Sequence, residues 1–216
     1  MFVSEEDGGC LYDRVQERNL ARQYDLLIDC IQIGIDQGVR AFDKYMLWSL
    51  NAAAVSNISQ FGGRFREEPI YLEGHIPPHF SQVPHLMDQF VCTVQENWHI
   101  WSEYVLASYV LWRLNWIHPF IEGNGRTARA ACYYILCVKN KGLPGGRVIV
   151  PERIRYERGP YYEALAEADR AWSNGELKFP KMEAYLVRLL DEQILDYPAP
   201  ENGESKTPPF EPSNQN

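Results

Sequence analysis

The sequence predicts an all-α fold, a helical bundle that carries one small β-hairpin. Apolar residues recur at helical spacing through most of the chain. One segment, residues 64–76, instead has β-branched and aromatic residues with no helical period. The apolar fraction is 45% and the charged fraction 23%, which is typical of a soluble globular domain with its own core.

The first half of the chain contains two predicted helices and the hairpin. An apolar stripe at i, i+4, i+7 spacing predicts a helix over residues 11–37, and Gly38 is expected to end it. A second helix is predicted from residue 44 to about 58. Residues 64–76 are then predicted to be extended, and the prolines at 77–78 end that segment.

The second half is predicted to be helical again. Helices are expected over residues 83–98, 102–117, about 126–142, about 160–173 and about 179–195. The helix over 102–117 is apolar around most of its circumference, so we expect it to lie buried at the centre of the fold.

The domain organisation follows from composition along the 216 residues. Residues 1–10 form an acidic N-terminal extension, and residues 11–197 are predicted to form one domain. Residues 198–216 are rich in Pro, Asn, Ser and Glu, which predicts a disordered tail. No internal repeat is present.

Charge and hydropathy exclude several classes of protein. A formal net charge of −8 disfavours a nucleic-acid-binding protein, because an acidic chain repels the phosphate backbone. Without a signal-like N-terminus or a run of transmembrane length, we expect a cytoplasmic protein without membrane association. Delivery by a specialised secretion system leaves no mark in the sequence and stays open.

The five cysteines show no metal-binding spacing, and four of them lie in apolar surroundings. We therefore expect mainly buried, reduced thiols. Cys132 and Cys137 fall on a predicted apolar helix with no adjacent base, which argues against a catalytic cysteine.

The junction between helices 102–117 and 126–142 carries the chemical signal. The residue before a proline is disfavoured in the helical region, so Pro119 is expected to end the first helix at His118 and to orient its imidazole. An imidazole has a pKa of about 6.5 and accepts a proton near neutral pH. Phe120 is apolar within a polar loop and is predicted to plug into the core.

The next residues are suited to a metal ion and to phosphate. Glu122 is a single carboxylate, and Mg²⁺ often binds one or two carboxylates together with phosphate oxygens. Gly123, Asn124 and Gly125 tolerate left-handed backbone angles, so their N–H groups can converge on an anion. They precede a helix N-terminus, where the dipole also favours negative charge.

Two arginines complete the junction. Arg126 and Arg129 are three residues apart on one helix face, within the first turn, where the dipole disfavours a cation. An anionic partner that guanidinium groups bind in bidentate fashion would offset that cost. Taken alone, a histidine before proline, a Gly-Asn-Gly turn or an arginine pair is more often structural. Their conjunction between two buried helices predicts phosphoryl or nucleotidyl transfer.

Residues 118–129 match the motif H-P-F-x-[D/E]-G-N-G-R-x-x-R at every specified position, and the chain is therefore identified as resembling the Fic family. The similarity extends over about residues 11–195. Further matching segments are 63–66, Ile70, 74–75, 77–78, Val83, 86–87 and 161–165.

The resemblance implies a Fic fold that acts as a protein adenylyltransferase. It implies that His118 deprotonates a Ser, Thr or Tyr hydroxyl of a target protein, which attacks the α-phosphorus of ATP and releases pyrophosphate. Glu122 would hold Mg²⁺. The phosphates would be bound by Gly123, Asn124, Gly125, Arg126 and Arg129.

The resemblance also implies a flap within residues 64–78 that pairs with the target backbone as an added strand. The flap residues are Ile70, Tyr71, Leu72, Glu73, Gly74 and His75. Such pairing reads backbone rather than side chains, so it does not identify the target.

Many relatives are restrained by an inhibitory helix with the motif [S/T]-x-x-x-E-[G/N]. Only Thr207 and Glu211 have this spacing, and Pro208, Pro209 and Pro212 rule out a helix there. We therefore predict no inhibitory helix in this chain. An antitoxin-like partner that supplies the glutamate in trans and an unrestrained enzyme both stay open.

Two alternative functions are kept. The first is a Fic enzyme that transfers UMP, phosphocholine or phosphate, or that removes AMP. The intact Gly-Asn-Gly-Arg stretch instead favours a triphosphate in the usual orientation. The second is a non-catalytic nucleotide-binding scaffold, although such a protein is expected to lose the base or the metal ligand, and both are present.

Overall fold

Eight α-helices are present in the computed structural model, which describes residues 2–3, 9–72 and 74–197. They are α1 (Gly9–Gln37), α2 (Lys44–Ala54), α3 (Val83–Glu96), α4 (Glu103–Ile117), α5 (Asn124–Lys139), α6 (Val150–Tyr156), α7 (Arg158–Ser173) and α8 (Pro180–Leu195). Short 3₁₀ helices follow α1 and precede α3. The all-α prediction is confirmed. The predicted tail, residues 198–216, and most of the N-terminal extension lie outside the described residues.

The core is built around α4 and α5, which pack along each other. α1 and α2 cover α5, whereas α3, α7 and α8 pack against α4. Both central helices bury side chains around almost their whole circumference, so the prediction of a central helix over 102–117 is confirmed. Ser102 caps the start of α4 by accepting a hydrogen bond from the N–H of Val105 (3.2 Å).

α1 crosses α5 at a glycine. A Cβ added to Gly34 would lie 2.4 Å from the hydroxyl oxygen of Tyr134 and 2.7 Å from Cγ2 of Val138. Tyr134 is fully buried, so its ring has little room to move away. The glycine therefore sets the close approach of the two helices.

Several helix boundaries differ from the sequence prediction by two residues or more. α2 ends at Ala54 rather than near 58, and α5 begins two residues earlier than expected, because Gly123 takes a left-handed conformation (φ 80°) at its N-cap. The seven-residue helix α6 was not predicted at all. It begins with Val150-Pro151 after an extended stretch, and it is too short to show a helical period.

The hairpin is reduced to one contact. Within the described residues of the 64–78 segment, a single antiparallel bridge joins Leu72 and His75, with no ladder of paired strands. An isolated two-stranded ribbon is marginal in water, and prolines at 69 and 77–78 remove donors from a longer ladder. Glu73, part of the predicted flap, lies outside the described residues.

The cysteines are all free, but not mainly buried as expected. Cys132 and Cys137 are buried in α5, Cys30 is half-buried, and Cys10 and Cys92 are exposed. The apolar neighbours of Cys92 in sequence point the other way on α3, so sequence proximity did not indicate burial. None of the described helices is both long enough and apolar enough to cross a membrane.

Gly34→Ala is expected to destabilise the protein by about 1–3 kcal/mol, because the added methyl overpacks the α1–α5 contact. Alanine is otherwise the better helix former, by roughly 1 kcal/mol. Gly159→Ala is the matched control, since a Cβ at that helical position has no described residue within 4 Å beyond its own turn of helix. Urea unfolding of both variants tests this, and a Gly34→Ala protein as stable as the Gly159→Ala protein would contradict it.

Candidate active site

The predicted catalytic loop, residues 118–129, begins where α4 ends. His118 has φ 50° and ψ 62°, a left-handed conformation, and its N–H donates to the Leu114 carbonyl (3.0 Å). A non-glycine residue in this region is uncommon and strained, and such strain concentrates at functional sites. The prediction that Pro119 removes His118 from the helical region is confirmed.

The imidazole of His118 is held in one tautomer. Its Nδ1 lies 3.3 Å from the carbonyl oxygen of Asn115. Because a carbonyl only accepts, Nδ1 carries the proton and the lone pair of the neutral ring is on Nε2. Burial lowers the pKa of His118 to about 4; the hydrogen bond to Asn115 opposes this, and the charges of His75 and Arg66 add to it. The ring is therefore a neutral proton acceptor at pH 7.

Asn124 closes the loop on itself. Its Oδ1 accepts from the N–H of Phe120 (2.9 Å), and its Nδ2 donates to the Phe120 carbonyl (2.8 Å). Phe120 is buried, which confirms the predicted plug. The Asn124 amide is thus occupied within the loop, so this residue offers a phosphate only its backbone N–H.

Asn51 of α2 fixes the middle of the loop, and our sequence reasoning missed it. It is fully buried, donates to the Glu122 carbonyl (2.8 Å) and accepts from the N–H of Gly63 (3.0 Å). A Cβ on Gly123 would lie 2.6 Å from Val55 Cγ1 and 2.9 Å from Asn51 Nδ2. The sequence did contain a signal for Asn51: it is a single amide side chain on the otherwise apolar face of α2, and a buried amide needs hydrogen-bond partners.

The two motif arginines differ in their partners. Arg126 donates to the carbonyl of Ala54 (2.7 Å), and its second terminal nitrogen lies 3.8 Å from Glu122 Oε2. Arg129 makes no hydrogen bond or ion pair with any residue that the structure describes, and burial lowers its pKa. The charge of Arg129 is therefore available to a ligand, whereas Arg126 is partly used within the protein.

The predicted residues converge on one cavity of about 370 Å³. Its walls are Leu72, His118, Ile121, Glu122, Gly123, Asn124, Gly125, Arg126 and Arg129. The arginines also border a second cavity of about 390 Å³ between α1 and the start of α6. The structure thus brings together every predicted catalytic, metal and phosphate-binding residue.

The predicted flap residues do not all line this cavity. Of the flap residues that the structure describes, Leu72 alone reaches the cavity with His118. Ile70, Tyr71 and His75 line a neighbouring groove. Apart from Gly74 and its chain neighbours, no described residue has an atom within 4 Å of a Cβ built on Gly74. His75 Nε2 donates to the Trp116 carbonyl (2.8 Å), which ties the segment to the last turn of α4.

Glu122 is the acidic residue in the walls of this cavity, and its side chain is half exposed. The described residues contain no group of three or more His, Cys, Asp or Glu side chains that could hold a metal ion. A single accessible carboxylate next to a phosphate site nevertheless fits Mg²⁺, which is often bound by one protein carboxylate, phosphate oxygens and water.

Comparison with known proteins identifies the same region. The model of the Fic/DOC family matches residues 41–136. "Protein adenylyltransferase Fic" of Drosophila persimilis is 31% identical over 162 residues, which cover 72% of this chain and 29% of the relative. The chain thus spans less than a third of that relative's length.

Solved structures show the same fold at low identity. A Fic-domain-containing signaling protein from Bacteroides thetaiotaomicron superposes with a TM-score of 0.65 at 16% identity, covering 82% of this chain and 69% of that one. BepC from Bartonella tribocorum, solved with bound AMPPNP, has a TM-score of 0.56 at 16% identity, covering 82% and 86%. The helical fold and the family match agree, and residues 41–136 of this chain belong to the Fic/DOC family.

Proposed function

We propose that this chain is a protein adenylyltransferase, which transfers AMP from ATP to a Ser, Thr or Tyr hydroxyl of a target protein. The observation that carries the proposal is the neutral His118, whose Nε2 lone pair shares one cavity with the unpartnered Arg129 and the N-terminus of α5. The adenylyltransferase name of the Drosophila relative and the AMPPNP bound to BepC support it.

His118 would act as the general base. Its Nε2 takes the proton of the target hydroxyl, the hydroxyl oxygen bonds to the α-phosphorus of ATP, and the bond to pyrophosphate breaks. The proton stays on the imidazole until solvent removes it. The fixed Nδ1–H contact with Asn115 keeps the accepting nitrogen in place without reorganisation.

The phosphates would lie at the N-terminus of α5. The backbone N–H groups of Gly123, Asn124 and Gly125 and the helix dipole favour negative charge there. Arg129 would contact the outer phosphates with both of its terminal nitrogens, since it has no partner to give up. Arg126 would contribute charge while it stays bonded to Ala54.

Glu122 would hold Mg²⁺ after its long contact with Arg126 is exchanged for the ion. The ion would supply charge neutralisation of the phosphate oxygens. A carboxylate from a separate antitoxin-like partner would compete with the outer phosphates for Arg129.

The target would bind at the segment around residues 70–75. Tyr71 and Ile76 are both 93% exposed, although large apolar side chains are normally covered. Their position beside Leu72, which reaches the cavity, would bring a bound target's hydroxyl to His118. We propose further that residues 11–197 act as one cytoplasmic Fic domain.

His118→Ala is expected to reduce AMP transfer at least about 100-fold, the usual contribution of a general base. The assay uses ATP labelled with ³²P at the α-phosphorus, Mg²⁺, the purified protein and a cell lysate. His99→Ala, an exposed histidine after α3, is the matched control and should label as wild type does.

Equal labelling by wild type and His118→Ala would remove His118 as the base. Absent labelling by wild type with ATP binding intact would instead favour another donor or a binding protein. UTP labelled at the same phosphorus, run in parallel, would separate those two outcomes.

His118 is expected to titrate near pH 4 rather than near its ordinary 6.5. Because the unfolded state binds this proton more readily, the stability tied to His118 is complete above about pH 6.5 and is lost as pH falls toward 4. NMR titration of the five histidine rings tests this, with His118→Ala assigning the signal. A His118 midpoint at 6.5 would contradict the burial of the ring.

Arg129→Ala is expected to weaken ATP binding by roughly 10- to 100-fold, since a charge-assisted hydrogen bond contributes about 1.5–3 kcal/mol. Calorimetry without a target protein measures this directly. Arg170→Ala, on the exposed side of α7, is the control for removing one positive charge. Equal affinities of the two variants would exclude Arg129 from the phosphate site.

A further inference from the structure

Arg66 is a buried cation with no carboxylate partner. Its side chain is 3% exposed. No described Asp or Glu oxygen lies within 4 Å of its guanidinium nitrogens, the distance limit for an ion pair. Burial lowers its pKa. A buried guanidinium is costly unless its donors are all engaged, so the groups that engage it indicate its role.

Three consecutive carbonyls at the end of α4 accept hydrogen bonds from this one residue. Its Nε donates to the His118 carbonyl (2.8 Å), and a terminal nitrogen lies 3.5 Å from the Ile117 carbonyl. Its backbone N–H donates to the Pro119 carbonyl (2.8 Å). The last carbonyls of a helix lack helical donors and carry the negative end of its dipole, so a cation here is doubly favoured.

The far side of the same guanidinium holds the predicted flap. One terminal nitrogen donates to the Glu68 carbonyl (3.3 Å) and the other to the Pro78 carbonyl (2.5 Å). These residues stand just before and just after the segment 69–77, which contains Leu72. The two ends of that segment and the catalytic loop therefore meet at Arg66.

We propose that Arg66 is the positioning residue of the transfer reaction: it holds His118 in its left-handed conformation and sets the flap segment at a fixed distance from it. This inference rests on the proposed function. His118 is strained by its positive φ and depends on its surroundings to stay in place. Its backbone is held on the carbonyl side by Arg66 and on the N–H side by Leu114.

A lysine cannot take over this role. The four carbonyls that the guanidinium contacts belong to three separate stretches of the chain, and a planar fork with donors on three nitrogens reaches them together. An ammonium places its three donors on one atom at the end of a flexible chain. Charge alone therefore does not satisfy the site, which makes Arg66→Lys the informative variant.

Arg64 provides a matched control two residues away. It is exposed, and its guanidinium lies over the ring of Phe61 at 4.7 Å, outside the catalytic loop. The experiment compares wild type, Arg66→Lys, Arg66→Ala and Arg64→Ala. It measures thermal unfolding, ATP affinity, kcat for AMP transfer, and the NMR signal of the His118 ring without nucleotide.

We expect Arg66→Lys to fold and to bind ATP within about threefold of wild type, because Arg66 lies outside the phosphate cavity. Its kcat is expected to fall on the order of 100-fold, the effect of misplacing a catalytic group by about 1 Å. The His118 ring signal should shift, with a higher titration midpoint. Added guanidinium ion should partly restore kcat of Arg66→Ala, and Arg64→Ala should match wild type.

Arg66→Lys with wild-type kcat and an unchanged His118 signal would overturn the proposal, as would a loss of ATP affinity that accounts for the whole decrease in transfer. If wild type transfers no AMP to any protein, the proposed function fails, but the His118 signal of the free variants still decides whether Arg66 positions the ring. Should Arg66→Ala not fold, Arg66→Lys alone gives the decision.

Discussion

The packing of α4 against α5 is the interaction on which the rest of this structure depends. Both helices are buried around most of their circumference, and the layers on either side are built on them. Residues 118–123 must connect two helix ends that the core has fixed. The chain meets this constraint with left-handed residues at both ends of the loop, His118 and Gly123, and the strain at His118 is retained because the surrounding contacts determine its conformation.

The loop is held almost entirely through its backbone. Asn51, Arg66 and Asn124 bind carbonyl and amide groups of residues 117–122. Their side chains therefore hold the shape of the loop and are not free to bind a ligand. The groups suited to chemistry are those left over: Nε2 of His118 and the guanidinium of Arg129. Rigid support and free reactive groups thus come from different residues, which is how a preorganised site keeps its geometry without blocking its ligands.

Much of this arrangement could be read from local patterns. The apolar period located seven of the eight described helices, and the motif from His118 to Arg129 contains every wall residue of the cavity except Leu72. The two wrong predictions of secondary structure also concern short segments of the chain. α6 is too short to show a period, and the paired strands expected over 64–78 reduce to one bridge, because a ribbon without a third strand gains little from pairing.

The sequence by itself determined the helical class, the buried pair α4 and α5, and most of the residues that line the candidate site, because these depend on residue type and on spacing within a few turns. Only the tertiary structure decided which groups stay free. Asn124 binds Phe120 rather than a ligand, Arg126 is partly engaged and Arg129 is not, and His118 has its pKa lowered by burial. It also placed Asn51 and Arg66 at the loop. Asn51 is 71 residues from Glu122 and Arg66 is 52 residues from His118, whose carbonyls they bind. Hydrogen-bond partners and desolvation depend on residues that are distant in the chain, and no local pattern specifies them.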